Sequence, residues 1–147
     1  MTTVKAILDG ARKWIGFQEG PNNDNPFGKH FKNNNQAYCN WFVSYVLIVE
    51  AKIKITPCGY VPTSYSYFKK IGKLFSTPKP GDLVYFDFVK DRIPEHIGFV
   101  EEVLPNGKII TIEANTSPTK KGSQDNGDGV YRKERYVSSC IGFGRVV

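Results

Sequence analysis

The sequence predicts an α+β fold in which N-terminal helices pack on a C-terminal antiparallel β-sheet. Three observations carry this reading. Apolar residues recur at helical spacing in the first half of the chain. The second half holds short runs rich in Val, Ile, Phe and Tyr, bounded by turn residues. Two of those runs are separated by Pro105-Asn106-Gly107, a tight-turn signal that makes them an antiparallel hairpin. Helices first and strands afterwards is an α+β layout.

The elements follow in order. Thr3 is placed to cap a first helix whose apolar positions are Val4, Ile7, Leu8, Ala11 and Ile15. Gly16 and then Gly20-Pro21-Asn22-Asn23-Asp24-Asn25-Pro26 break that helix and open a long loop. The loop runs through Asn33-Asn34-Asn35 and delivers the chain to Cys39. Beyond it, Trp41, Phe42, Tyr45, Val46 and Val49 repeat as a buried helical face. A short helical or irregular region is expected over 64–71. Strands are expected over 83–88, 97–104, 108–113, 130–136 and 141–147. No repeat or low-complexity linker interrupts the chain, so residues 1–147 read as a single domain.

Composition narrows the class. Hydrophobic residues make up 40% and charged residues 23%, the balance of a folded globular chain able to bury a core. No apolar run approaches the roughly 18 residues of a membrane-spanning helix, so no membrane partner is expected. Met1-Thr2-Thr3-Val4-Lys5 lacks the apolar core of a secretory leader, and Asp9 and Arg12 interrupt the only apolar stretch. The chain is therefore expected to be made in the cytoplasm without a signal peptide. The net charge of +6 suits an anionic partner surface. Its Lys and Arg residues are scattered and accompany no nucleic-acid motif, so nucleic acid is not the expected partner. A monomer is expected.

Three cysteines at unrelated spacings argue against a disulfide framework or a zinc site. Cys58 and Cys140 read as small buried hydrophobes. Cys39 differs, because it heads a helix after a polar, Asn-rich loop. A helix's first turn offers unpaired backbone N–H groups and the positive end of the dipole, which favour a thiolate. His96 opens an apolar strand, where its imidazole can point into a cleft while Ile97 and Phe99 pack on the opposite face. The other histidine, His30, reads as a surface residue. Glu113 and Asn115 are two apart and in an extended segment face the same way. One of them can accept the Nδ1–H of His96 and leave Nε2 toward the thiol. Nucleophile, base and orienting group make the logic of thiol acyl transfer. Gln36 is a candidate oxyanion donor beside the Cys39 backbone N–H.

Cys39, His96 and Glu113-x-Asn115, with the flanks Tyr38-Cys39-Asn40-Trp41-Phe42-Val43-Ser44 and Pro80-Gly81-Asp82-Leu83-Val84-Tyr85-Phe86, resemble the CHAP family of cysteine, histidine-dependent amidohydrolases/peptidases. The resemblance runs from about Ala11 to the chain end. It implies a papain-like fold and a peptidoglycan hydrolase cutting an amide bond, as in phage endolysins. It also gives Glu113 first claim as the partner of His96, with Asn115 supporting or sharing the role. Bacterial peptidoglycan is then the expected partner, reached after release to the cell wall, with retention by the basic surface or by a separate wall-binding subunit. Two other readings stay open: an interbacterial amidase effector, and a non-catalytic basic module that binds walls or nucleic acid. Some CHAP domains carry a calcium loop before the nucleophile, but Asn22-Asn23-Asp24-Asn25 holds a single carboxylate and reads as a turn. Asp125-Asn126-Gly127-Asp128-Gly129 lacks the Glu and flanking helices of an EF-hand. No metal and no organic cofactor are expected.

Overall fold

In the computed structural model, which describes residues 3–147, four helices precede a six-stranded antiparallel sheet. The helices are α1 (Val4–Arg12), α2 (Pro26–His30), α3 (Cys39–Tyr45) and α4 (Val61–Lys70). The strands are β1 (Leu74–Phe75), β2 (Leu83–Phe86), β3 (His96–Val103), β4 (Lys108–Thr116), β5 (Gly129–Tyr136) and β6 (Cys140–Gly144), in the order β1-β6-β2-β3-β4-β5. The α+β class and the helix-then-strand order match the expectation. Met1 and Thr2, part of the stretch read as lacking a leader, lie outside the described residues.

Local chemistry sets the boundaries. Thr3 Oγ1 accepts the Ala6 N–H at 3.1 Å and caps α1. That helix stops at Arg12, so Ile15 packs against the core from the turn beyond it. Helix α3 runs into a π-helical turn over Val46–Glu50, closed by the Ala51 N–H donating to the Val46 carbonyl at 2.9 Å. The π turn rotates the face that sequence periodicity proposes. Phe42, Val43, Val46 and Leu47 are buried, whereas Trp41, Tyr45 and Val49 are only partly so.

Asn106 and Gly107 both hold left-handed φ, 65° and 73°, as the expected β3–β4 hairpin turn requires. The Pro-Gly-Asp motif is architectural: Gly81 has φ 90°, and the buried Asp82 accepts from the Lys79 N–H and from Arg145 in a fork of 2.9 and 2.8 Å. It thereby ties the start of β2 to the chain just beyond β6. The expected strand 83–88 ends at Phe86, and the two-residue β1 was not anticipated.

Side chains alternate across the sheet. Leu83, Tyr85, Ile97, Phe99, Ile112 and Ala114 join the helices' Ile7, Phe27, Phe42 and Val46 in the main core. Val84, Phe86, Val100, Ile109 and Phe143 form a smaller cluster on the other face. Phe42 meets Phe99 edge to face at 5.9 Å, which seats α3 on β3.

Candidate active site

Cys39 is the first residue of α3, so the amides of that turn have no carbonyl one turn back within the helix. The Asn-rich loop positions it through its own hydrogen bonds. Asn25 Oδ1 accepts the Gly28 N–H at 2.7 Å and caps α2. Asn34 Oδ1 accepts the Asn25 N–H at 3.0 Å, and Asn34 Nδ2 donates to Asp24 Oδ1 at 2.7 Å. The stretch 22–25 therefore spends its polar groups on folding the loop. Asp125 to Gly129 likewise form the return to β5, with the Gly127 and Asp128 N–H groups donating to the Asn115 and Thr116 carbonyls.

Cys39 lines a cleft of about 430 Å³ with Ala37, Gly59, Val61, Pro62 and Pro94. Apolar Tyr60, Val89 and Ile93 stand exposed on its walls, beside the exposed Asp91 and the half-buried Glu95 and Asp125. Asp87, Asp91 and Glu95 have ligand atoms within 4.8 Å of one another. Their oxygens accept backbone N–H groups from Phe88, Val89, Asp91, Arg92 and Ile93, which shapes the loop between β2 and β3.

Behind the thiol lies His96, wholly buried at the head of β3. Its ring stacks on Phe86 and Phe88 at 5.7 and 6.0 Å. Glu113, equally buried, places Oε1 2.9 Å from His96 Nε2. The nitrogen assignment expected from sequence is thus reversed: the carboxylate holds Nε2, and Nδ1 is the one left for the thiol. Nδ1 has no hydrogen-bond partner. Cys39 nonetheless acts on the ring. Burial pulls the imidazole's pKa down, but Cys39 and then Glu113 outweigh it and push it up to about 9. Glu113 moves the other way: burial favours its neutral form, yet Arg135 and His96 hold it below the usual carboxylate range.

Asn115, unlike Glu113, makes no hydrogen bond with His96. Its φ of 57° breaks the extended geometry that would align the two, and its Nδ2 donates to the Asp125 carbonyl at 3.3 Å. Its Oδ1 is buried without a hydrogen-bond partner. Gln36 is exposed and lies outside the Cys39 cleft lining, which does not support it as an oxyanion donor. Asn40, next to Cys39, instead carries a buried Nδ2 with no acceptor. His30 is exposed, packing its ring on Phe31 and Tyr45. All three thiols are free. Cys58 and Cys140 are half-buried rather than fully so, and burial pushes the Cys140 thiol up to about 12.

Sequence reasoning missed Arg135. It grips Glu113 in a fork, Nε to Oε2 at 2.8 Å and Nη2 to Oε1 at 2.5 Å. Thr111 Oγ1 donates to the same Oε2 at 2.5 Å.

Fold and residue order together define the papain-like CHAP class of α+β domains. Residues 31–115, more than half of the chain, match the CHAP domain, and the chain belongs to that family. No curated protein matches the sequence. Among solved structures, the fold is similar to the crystal structure of Ly7917, with a TM-score of 0.55 and 12% identity, covering 97% of this chain and 61% of that one. It is similar also to Ly7917 with the hydrolyzing product of MDP, with a TM-score of 0.57 and 13% identity, covering 97% and 62%. A slighter likeness joins it to N-acetylmuramoyl-L-alanine amidase from Staphylococcus aureus, with a TM-score of 0.49, 18% identity and coverage of 74% and 31%. The chain spans about three-fifths of the length of the Ly7917 structures, and at that identity the likeness is one of fold.

Proposed function

We propose that the protein is a peptidoglycan hydrolase that cuts an amide bond through a Cys39 acyl-enzyme. The observation that carries this is the buried His96–Glu113 contact of 2.9 Å behind a thiol that opens onto a cleft. Membership of the CHAP family supports it. The scissile bond is the amide joining N-acetylmuramic acid to L-alanine or a peptide bond of the stem or cross-bridge. A phage endolysin released to the wall is the biological setting that fits the basic chain.

The chemistry follows from the residues. His96 carries its proton at neutral pH, since its pKa is raised. The Cys39 thiolate attacks the amide carbonyl carbon, forming a C–S bond and an oxyanion beside the free amides of the first turn of α3. Collapse breaks the C–N bond as His96 Nδ1 gives its proton to the leaving amine. Water then attacks the thioester, His96 takes its proton, and the C–S bond breaks to return the thiolate. Glu113 holds the ring by Nε2 throughout.

Mass spectrometry of purified peptidoglycan after digestion tests the proposal. New amine and carboxyl ends that vanish with Cys39→Ala are expected. Cleavage unchanged by that substitution would remove Cys39 as the nucleophile, and a salt-dependent shift of DNA with no cleavage of walls would point to a binding module instead.

A further inference from the structure

Glu113 keeps its charge where an isolated carboxylate would be costly, fully buried on β4. Its oxygens are both taken. Oε2 accepts from Thr111 Oγ1 and from Arg135 Nε, while Oε1 lies between Arg135 Nη2 and His96 Nε2. The guanidinium also lies over Phe86 and Phe88, at 5.1 and 5.2 Å, two mutually stacked rings that both pack beside the imidazole. Its remaining nitrogen donates to Gln124 Oε1 at 3.0 Å. One side chain thus touches the orienting carboxylate and both aromatic walls of the base.

Resting on the reading of Cys39 and His96 as the reacting pair, we propose that Arg135 is their positioning residue. Its fork fixes the plane of the Glu113 carboxylate so that the ring presents Nδ1 to the thiol. Its charge offsets part of the pull of Glu113 on the imidazolium proton, which lets the ring release that proton to a leaving amine. A carboxylate facing His96 alone would hold the proton harder and make a slower acid. Other groups near the pair do not substitute for it. Lys133, also on β5, acts on Glu113 from a distance while its Nζ is tied to the Ser117 and Thr119 carbonyls at 2.6 and 3.1 Å. The Cys140 thiol on β6 stays neutral. Besides Arg135, which shares Glu113 Oε1 with the ring, the charged or titratable groups acting on the imidazole are Glu113 and Cys39.

The test compares Arg135→Gln and Arg135→Lys on a short soluble muropeptide, following kcat and KM across pH. Arg135→Gln should lower kcat by about 10-fold or more, with KM little changed, as when an interaction made only in the transition state is lost. The alkaline limb of its kcat profile should move up by about one pH unit, because a cation near the imidazolium has been removed. Arg135→Lys keeps the charge but not the fork, so kcat should fall while the limb stays in place. A wild-type kcat in either variant, or equal losses with no movement of the limb in Arg135→Gln, would overturn the assignment. If Arg135→Gln does not fold, Arg135→Lys decides alone by whether kcat falls at an unmoved limb. Turnover that survives Cys39→Ala in parallel would remove the underlying reading and this one with it.

Discussion

Gly98 stands directly across the β3–β4 ladder from Glu113, and a Cβ built at that glycine would meet Glu113 Cγ at 2.7 Å and the Ile112 carbonyl at 3.0 Å. His96 is two residues earlier on the same strand, so Glu113 must lean across the vacant Gly98 position to reach it. The missing side chain makes the contact possible.

Gly98→Ala should therefore displace Glu113 from His96. We expect kcat to fall about 10–100-fold with KM little changed, as when an orienting partner is lost. Kinetics on a soluble muropeptide, with circular dichroism to confirm folding, measures this. A folded variant with full kcat would mean the ring needs no such partner.

Cys39 should be the thiol that iodoacetamide modifies first at neutral pH, and its modification should abolish turnover. Cys39 is buried but lines the cleft at the head of α3, whereas the Cys140 thiol is held protonated. Peptide mapping after partial labelling decides. Loss of activity that tracks Cys58 or Cys140 instead would sink the assignment.

His96→Ala should lower kcat by about 10²–10⁴-fold, and Glu113→Gln by less, because the amide still offers an acceptor. The pH dependence has a definite sign. The folded His96 is raised to about 9, above the roughly 6.5 of an unfolded chain. Its contribution to stability is complete below that unfolded value and is lost as pH rises through about 9. Glu113 is depressed, so its share is present above its unfolded value and lost as pH falls through the lowered one. Melting curves should show an alkaline decline between pH 6.5 and 9 that His96→Ala lacks. The same decline in that variant would assign it to another group.

Lysis of intact cells should weaken with salt. The surplus of six positive charges is screened within about 10 Å at 0.1 M salt. Cleavage of a short soluble muropeptide should change little over the same range. Equal sensitivity in both assays would place the effect in the cleft, and undiminished pelleting with walls at high salt would reveal a specific binding surface.

Much of this was legible in the residues. The hairpin over Asn106-Gly107 could be read because only certain residues accept left-handed φ there. The pairing of Cys39 with His96 could be read because thiols and imidazoles are few in the chain, three Cys and two His, while the claim of Glu113 came from the family resemblance. What escaped depends on register. Arg135 sits in Tyr131-Arg132-Lys133-Glu134-Arg135-Tyr136, which reads as an ordinary charged edge strand until pairing with β4 sets it on the Glu113 face. The choice between Nδ1 and Nε2 depends on a side-chain rotation that no spacing encodes. The left-handed bend at Asn115 likewise defeated an argument that assumed an extended strand.

Cys39 and His96 belong to different layers of the molecule. His96 and Glu113 are held to each other by the backbone ladder of neighbouring strands, but Cys39 comes from a helix that packs against that sheet. The sulfur-to-ring separation is therefore a ruler laid across the helix–sheet seam, where Phe42 meets Phe99. A slip there too small to disturb the sheet would still take the thiol out of reach of the ring. Turnover should consequently fade in mild denaturant before the strands lose their spectroscopic signal, making this reaction a more sensitive gauge of the seam than any probe of secondary structure.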